Sequence, residues 1–308
     1  MIIADTHIGK KWAANVPLHR RGDREKLQRE TFANILANCH EDLYHLGDLF
    51  DSWNVSNDDL MFVYEEIKKW SEYNRSCNAY FIAGNHDLSR SDKVSSFEIL
   101  KRMFASDRHV YFYTEPNDIL NIFDPNYAPT LILPFSYQKS YAEMVKPFLG
   151  KHYTNVYVHA DPSDVEALKQ LDADRIYSGH LHNLRPNNVV GGVEFVNSML
   201  PLNHYEAVGT KWDGTLYKTY GCVDQFYVSN DDVYDKCVKI LVHENEIAPN
   251  REDIDAMQVI IKSADEEAAE MYEDVVADGF DARAVFDECM KDVDSEIKEE
   301  CWEEYKNV

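Results

Sequence analysis

Five short polar segments, each placed after an apolar run, restrict the fold of this chain more than any other feature. The third lies in residues 81–87, which read Phe-Ile-Ala-Gly-Asn-His-Asp, so three apolar residues lead through a glycine into an amide, an imidazole and a carboxylate. This pattern is typical of a buried strand that ends in a tight loop. An ordinary polar turn after a strand would have the same pattern, so the segment alone leaves structure and chemistry equally open.

The other four segments carry side chains of the same kinds. The polar groups that follow the predicted strands are Asp5, His7, Asp48, Asn85, His86, His159, His180 and His182. Functional sites in open α/β sheets form at the carboxyl ends of strands, so we expect these groups to meet. Imidazole, carboxylate and amide ligands together suit manganese, iron or zinc better than magnesium or calcium. Five such segments in one chain therefore predict a metal centre.

The apolar periodicity between these segments predicts strands that alternate with helices. The expected helices are 23–36, 57–73, 95–104, 141–149 and 163–171. The expected later strands are 189–196, 212–220, 223–228 and a lone strand at 257–261. Two acidic helices are expected beyond them, at 264–276 and 282–305. The alternation favours an α/β sandwich over an all-β fold.

Most of the formal charge of −24 lies at the C-terminal end. Residues 231–308 hold 25 of the 55 acidic and 8 of the 31 basic residues, a net charge of −17, which leaves −7 for residues 1–230. This acidity weakens the case for a nucleic-acid partner without removing it. We expect one domain over residues 1–242 and a small acidic cap or partner-docking region over residues 243–308.

The sequence also indicates the compartment. It has no run of about 18 apolar residues and no basic region followed by a long apolar stretch, so neither a membrane span nor a secretory leader is expected. The six cysteines are scattered without a CxxC pair, which favours free thiols in a reducing cytosol. We therefore expect a cytoplasmic protein without a membrane partner.

As a set, the five segments resemble the motifs of calcineurin-like metallophosphoesterases. The matching sequences, over roughly residues 1–200, are Asp5-x-His7, Gly47-Asp48, Gly84-Asn85-His86-Asp87, His159 and Gly179-His180-x-His182. The resemblance implies a four-layer α/β/β/α sandwich with a small C-terminal α/β or helical appendage. It also implies two divalent metal ions at the strand ends.

The resemblance assigns a role to each of these residues. The ligands of one ion would be Asp5, His7, Asp48 and His182. The ligands of the other would be Asp48, Asn85, His159 and His180. His86 would bind neither ion and would protonate the leaving oxygen.

Physical arguments agree with two of these roles. A bridging ligand should be anionic because it offsets the charge of both ions, which favours Asp48. A proton donor should titrate near neutral pH, which suits His86. Asp87 is expected either to orient a histidine or to cap the loop.

Within the superfamily, two stretches are similar to SbcD-type nucleases, the nuclease subunits of double-strand-break repair complexes. These stretches are Asp5-Thr6-His7-Ile8-Gly9-Lys10 and Gly47-Asp48-Leu49-Phe50-Asp51. The resemblance implies a manganese-dependent 3′→5′ exonuclease and endonuclease that acts on DNA, forms a homodimer and works with an SbcC-type ATPase. The size suits a compact phage version, for which the cytoplasm would be that of the host. Some family members have a histidine where this chain has Asp51, a position linked to substrate orientation.

Three questions stay open at this point. The basic segment, residues 10–29, either contacts the phosphate backbone or is a solvated helix face. The helices at 57–73 and 95–104 carry apolar residues for either a dimer contact or the core. The function is either that of a DNA nuclease or that of a nucleotide or small-molecule phosphodiesterase, which the acidic charge suits better. A binding subunit that has lost catalysis is disfavoured because the ligand set is complete.

Overall fold

Helices and strands alternate along the described part of the chain, which comprises residues 1–91, 93–119, 129–182, 189–202 and 216–268 of a computed structural model. The helices are α1 (Asp23–Asn38), α2 (Asn57–Tyr73), α3 (Ser96–Met103), α4 (Tyr141–Met144), α5 (Val165–Leu168) and α6 (Val223–Ser229). The strands are β1 (Ile2–Ile3), β2 (Leu43–His45), β3 (Ala79–Ile82), β4 (Val110–Tyr113), β5 (Asn117–Ile119), β6 (Thr130–Leu133), β7 (His152–His159), β8 (Asp172–Gly179), β9 (Val189–Val190), β10 (Val193–Phe195), β11 (Tyr217–Tyr220), β12 (Cys237–Val242) and β13 (Gln258–Ser263).

The strands form three sheets. The first has the order β1-β2-β3-β4, and all its strands are parallel. The second has the order β5-β6-β7-β8-β10-β9, with parallel pairing from β6 to β10 and an antiparallel strand at each edge. The third has the order β11-β12-β13. Parallel strands need crossover connections, and α1 to α5 supply them within β1–β4 and β6–β8.

The first two sheets pack face to face through a layer of tyrosines. Tyr44 on β2 stacks on Tyr157 on β7, with ring centroids 4.2 Å apart, and on its neighbour Tyr80 on β3, at 4.8 Å. Successive side chains of a strand point to opposite faces, so Tyr80 and Ile82 enter this layer while Phe81 points the other way. Burial on both faces explains why β3 and β6 are almost wholly apolar.

The helices cover the outer faces of this sandwich. The first sheet packs its other face against α1, α2 and α3, through a core that includes Phe32, Ile67 and Phe97. The second sheet packs against α4 and α5 through Met144, Val165 and other buried side chains. The predicted α/β sandwich is therefore confirmed, with layers in the order α/β/β/α.

Two compact units divide the chain. The first comprises Met1–Lys218, Asp232–Val238 and Ile254–Val259, and the second comprises Thr219–Asp231, Lys239–Asp253 and Ile260–Val308. The domain boundary predicted near residue 242 stays a prediction. The predicted helix at 282–305 lies outside the described residues, as does most of the helix predicted at 264–276.

The strand predicted at 223–228 is wrong, because these residues form α6. The side chain of Cys222 accepts a hydrogen bond from the backbone N–H of Gln225 and so caps the helix, and Asn230 ends it with a left-handed backbone, φ 47°. Capping overrides the strand preference of the Val, Phe and Tyr side chains between them. The strand predicted at 257–261 is also not alone, since β13 belongs to a three-stranded sheet.

Two further expectations from composition can be compared with the structure. The four cysteines in the described ranges, Cys39, Cys77, Cys222 and Cys237, are free thiols. Among the described helices, none is long and apolar enough to cross a bilayer.

Candidate metal centre

The carboxyl ends of five parallel strands bring the predicted site residues together. The side chains they deliver are Asp5 and His7 after β1, Asp48 after β2, Asn85 and His86 after β3, His159 at the end of β7, and His180 and His182 after β8. The loops are tied to one another by backbone hydrogen bonds, from Asp5 N–H to Gly47 O and from His7 N–H to Asp48 O, both 3.0 Å. The edge of the sheets therefore fixes the backbone positions from which these side chains project.

One group of side chains consists of Asp5, His7, Asp48 and His182. Nε2 of His182 lies 3.4 Å from Oδ1 of Asp5 and 3.4 Å from Nε2 of His7. Nε2 of His7 lies 3.8 Å from Oδ2 of Asp48. Ligand atoms of Asp5, His7 and His182 lie within 4.8 Å of one another, as the ligands of a cation do, and Asp48 approaches this group through His7.

The second group consists of Asp48, Asn85, His159 and His180. Oδ1 of Asn85 lies 2.9 Å from Nε2 of His159 and 3.0 Å from Nδ1 of His180. Nε2 of His159 also lies 3.5 Å from Oδ1 of Asp48. The two oxygens of Asp48 therefore face different groups, with Oδ2 toward the first and Oδ1 toward the second.

The hydrogen bonds of His159 test whether a cation fits. Its Nδ1 donates to the backbone oxygen of Leu46 at 2.8 Å, so in the neutral ring Nε2 carries a lone pair. That lone pair faces the oxygens of Asn85 and Asp48, which are also acceptors. Three acceptors that point at each other require a positive charge between them. A proton on His159 or a divalent cation supplies it, and the mixed N and O donors suit a borderline divalent metal.

The pKa values of the buried groups show the same demand for positive charge. Burial alone would raise the pKa of Asp48, but the imidazoles of His159, His7 and His86 hold it well below its ordinary value. Burial lowers the pKa of His159, but the carboxylates of Asp48 and Asp5 outweigh it and raise that pKa to about 9. The centre therefore keeps its carboxylates ionised and attracts cations.

The backbone is unusual at four of the predicted ligands. Asp5, His7, Asp48 and His180 have φ of 51°, 46°, 53° and 83°, in the left-handed region that non-glycine residues seldom adopt. In the described part of the chain, only two other non-glycine residues share this feature. Such strain persists where the surrounding structure enforces it, and it is concentrated at functional sites.

Gly84 makes room for the carboxylate of Asp48. A Cβ atom at residue 84 would overlap both Oδ1 and the backbone nitrogen of Asp48. The backbone of Gly84 is not in the left-handed region, so the position requires a glycine for close approach and not for a turn.

His86 lies beside both groups and is exposed. Its backbone N–H donates to Oδ1 of Asp48 at 2.9 Å, and its Nδ1 contacts the backbone oxygen of Asp51 at 2.7 Å. The Nδ1 contact leaves Nε2 as the nitrogen available for a substrate. Ligand atoms of His86, His7 and Asp48 also lie within 4.8 Å of one another, so the ring is next to the metal position without belonging to either group of four.

Asp51 and Gln28 support His7, and the sequence did not predict their contacts. Oδ1 of Asp51 lies 3.0 Å from Nζ of Lys10 and 3.3 Å from Nδ1 of His7, although the latter pair is not aligned for a hydrogen bond. Burial raises the pKa of Asp51, but these two contacts lower it to about 2. Buried Gln28 donates to the backbone oxygens of Thr6 and His7, both at 2.8 Å. The second aspartate of Gly-Asp-Leu-Phe-Asp was a sequence signal for a role of Asp51 near the site. The sequence around Gln28 contains no comparable signal.

Asp87 caps the loops and does not orient a histidine. Its carboxylate accepts backbone N–H groups from Leu49 and Gly84, through Oδ2, and from Phe50, through Oδ1, at 2.9 to 3.2 Å. Burial and the charge of Asp48 raise the pKa of Asp87 to about 7, against the effect of these hydrogen bonds. The residue therefore joins the loop after β2 to the loop after β3.

The basic segment is largely paired within the protein. Arg20 is buried and contacts carboxylates of Asp23 and Asp255 at 2.6 and 2.7 Å. Arg29 pairs with the buried carboxylate of Asp59. These contacts leave less of the segment for a phosphate backbone than its sequence suggests.

A four-layer sandwich with histidines and aspartates that could hold a metal ion at its strand ends is the arrangement expected of a metallohydrolase. The chain belongs to the calcineurin-like phosphoesterase family, whose profile matches residues 1–184. The protein is thus a metal-dependent phosphoesterase, and divalent ions are its cofactors.

Two further comparisons with known proteins give less information about the function. The search of curated proteins gave no match. Among solved structures, the crystal structure of the protein of unknown function AQ665 from Aquifex aeolicus is similar, with 19% identity over 64% of this chain and 87% of that chain and a TM-score of 0.30. A likeness at this level says nothing about the substrate.

Gly84→Ala should abolish metal binding, because the added methyl group displaces Asp48, which faces both groups of ligands. We expect the variant to fold but to lose manganese binding in calorimetric titration. Gly221→Ala is the control, since a Cβ at residue 221 would meet only Oε1 of Gln225, at 3.3 Å. Normal manganese affinity in Gly84→Ala would contradict the role of this close approach.

Proposed function

We propose that the protein is a manganese-dependent nuclease with two metal ions that hydrolyses DNA phosphodiesters, as a 3′→5′ exonuclease and an endonuclease. The observation that carries the two-metal proposal is the position of Asp48, whose two oxygens face different groups of ligands. The choice of DNA rests on the similarity of residues 5–10 and 47–51 to SbcD-type nucleases.

Each ion would have the ligands that the resemblance implies. Those of the first are Asp5, His7, Asp48 and His182. Those of the second are Asp48, Asn85, His159 and His180. When bound, the divalent cations polarise the phosphoester and lower the pKa of the water that serves as nucleophile. Manganese accepts this mixture of imidazole and oxygen ligands.

The protein itself supplies the proton for the leaving group. Nδ1 of His86 is held by the carbonyl oxygen of Asp51, so Nε2 of the protonated ring is free to donate to the departing oxygen. The ring also packs edge-on against His7, with centroids 5.0 Å apart, which limits its rotation. A donor held at one place avoids the entropy cost of finding the leaving oxygen.

A nucleotide or small-molecule phosphodiesterase is the second candidate. The net charge of −24 and the internal pairing of Arg20 and Arg29 favour it, because backbone affinity for DNA comes from unpaired Lys and Arg. A binding subunit without catalysis is the weaker third possibility, since all seven predicted ligands and His86 are present at the site.

The proposed partners are DNA, an SbcC-type ATPase and a second copy of the chain. A homodimer would use the faces of α2 and α3, where Met61, Ile99 and Met103 are partly exposed. We place this activity in the cytoplasm, which suits the free thiols of the described cysteines.

A manganese-dependent assay on linear DNA separates the two leading functions. We expect labelled duplex and single strands to be degraded from their 3′ ends, with metal chelation abolishing the reaction. Bis-p-nitrophenyl phosphate serves as the parallel substrate. Hydrolysis of this ester without any loss of DNA, even when a neighbouring SbcC-type ATPase is added, would favour the nucleotide or small-molecule enzyme.

His86→Asn should lower kcat by about 100-fold or more, because positioned acids typically contribute 10²–10⁴-fold. Manganese content should not change, since His86 belongs to neither group of ligands. His40→Asn is the matched control, because His40 is exposed and lies just before β2, at the opposite end from Asp48. Full turnover in His86→Asn would refute the assigned role.

Sedimentation at micromolar concentration tests the dimer. We expect a mass near twice 35.7 kDa for the wild type. Met61→Glu with Ile99→Glu should give monomers, because buried unpaired charges oppose association. A monomeric wild-type protein would count against this interface.

A further inference from the structure

A cleft adjoins the exposed side of His86, next to the metal centre. Its volume is about 420 Å³, within the range of small-molecule sites. Three loops form its walls: the one after β2, the one after β3 and the one after β6. The residues that decide its chemistry are Trp53, Asn85, His86, Arg90 and Tyr137.

Tyr137 is held against the loop that carries the ligand Asn85. Its hydroxyl donates to the backbone oxygen of Asn85 at 2.8 Å, and its ring packs edge-on against Phe135 with centroids 4.8 Å apart. The side chain is nevertheless 41% exposed, so part of the ring remains accessible. The guanidinium of Arg90 lies 5.5 Å from the ring centroid. A planar cation and an aromatic ring thus line the same wall.

Trp53 supplies a second aromatic surface. Its indole is half-buried, and Nζ of Lys93 lies 5.6 Å from the ring. The backbone oxygen of Trp53 accepts the N–H of Ser96, 2.8 Å, at the start of α3. The position of the residue in the loop is therefore fixed by its main chain and does not depend on the side chain.

We infer that this cleft binds the nucleobase of the nucleoside that departs from the scissile phosphate, an inference that rests on the proposed function. Water adds to phosphorus, the P–O bond to the departing nucleoside breaks, and Nε2 of His86 gives that oxygen its proton. The departing group must therefore lie on the His86 side of the phosphate, where the cleft begins. Trp53, Tyr137 and Arg90 offer the flat surfaces on which bases stack.

This subsite also explains how an acidic protein holds nucleic acid. The basic segment is largely paired with carboxylates, so it contributes little free charge. Base stacking on aromatic rings contributes to affinity without reading sequence, because every base has a π-face. Arg90 and Lys93 place cations at the same rings, where a phosphate attached to the nucleoside adds to binding.

Dinucleotides with a single phosphodiester test the inference, because they have only one scissile bond. The substrates are dithymidine monophosphate and its two analogues in which one or the other thymine is deleted. The products show which oxygen departs, and so which thymine belongs to the departing nucleoside. The variants are Trp53→Ala, Trp53→Phe and Tyr137→Leu, with Tyr73→Leu as the matched control because Tyr73 is 87% exposed on α2.

Deletion of the departing thymine should raise KM about 5- to 100-fold, as expected for the loss of one base–aromatic stack. Trp53→Ala and Tyr137→Leu should raise KM similarly for the intact dinucleotide and for the analogue that lacks the other thymine. For the analogue without the departing thymine, the ratio of KM between variant and wild type should approach one. Trp53→Phe should recover most of the loss, and Tyr73→Leu should match the wild type.

Binding separates this inference from the proposed function. If the wild type hydrolyses no dinucleotide or DNA, the nuclease proposal fails, while the subsite is still tested by Kd. Calorimetry with the wild type and manganese should then show tighter binding of dithymidine monophosphate than of one base-deleted analogue, and Trp53→Ala should remove the difference. Equal Kd for all three dinucleotides, or equal losses for every substrate in Trp53→Ala, would overturn the subsite.

Discussion

The buried carboxylate of Asp48 is the group on which the metal centre depends. An ionised carboxylate in a protein interior is unfavourable unless hydrogen bonds and positive charge surround it. Here the N–H of His86 and the imidazoles of His7 and His159 provide them, and Gly84 leaves the necessary space. Four strand ends must therefore lie at their observed places for one carboxylate to be stable. The metal centre therefore depends on the arrangement of both sheets.

The sequence alone predicted the sandwich and the convergence of the ligands, because both depend on local patterns. A strand such as β3 is a short apolar run that a glycine and polar residues end, and parallel strands end at one edge of a sheet. The bounds of α2 also follow from local signals, since Ser56 caps its first turn and its apolar residues recur at helical spacing. The role of each ligand stays a proposal, because the assignment of ligands to the two ions comes from the family resemblance.

Long-range contacts were beyond such patterns. From sequence, Asp87 could either orient a histidine or cap its loop. The hydrogen bonds that its carboxylate accepts from the loop after β2 show that it caps the loops. The charges of the basic segment suggested contact with DNA, but Asp59 and Asp255, 30 or more residues away, neutralise Arg29 and Arg20. In α6, a cysteine at the N-cap reverses a strand preference. Each outcome depends on a residue that is distant in sequence or unusual in its role.

The left-handed backbone at Asp5, His7, Asp48 and His180 links function to thermal tolerance. Each such conformation costs on the order of 1–3 kcal/mol, a large part of the net stability of a domain. Glycine adopts the same φ without steric strain, so replacement of one of these residues by glycine would remove the strain together with a predicted metal ligand. Selection for heat resistance alone would therefore favour substitutions at these positions of the sheet edge before others. Among relatives, a stable but inactive descendant is expected to differ from this chain at these four positions.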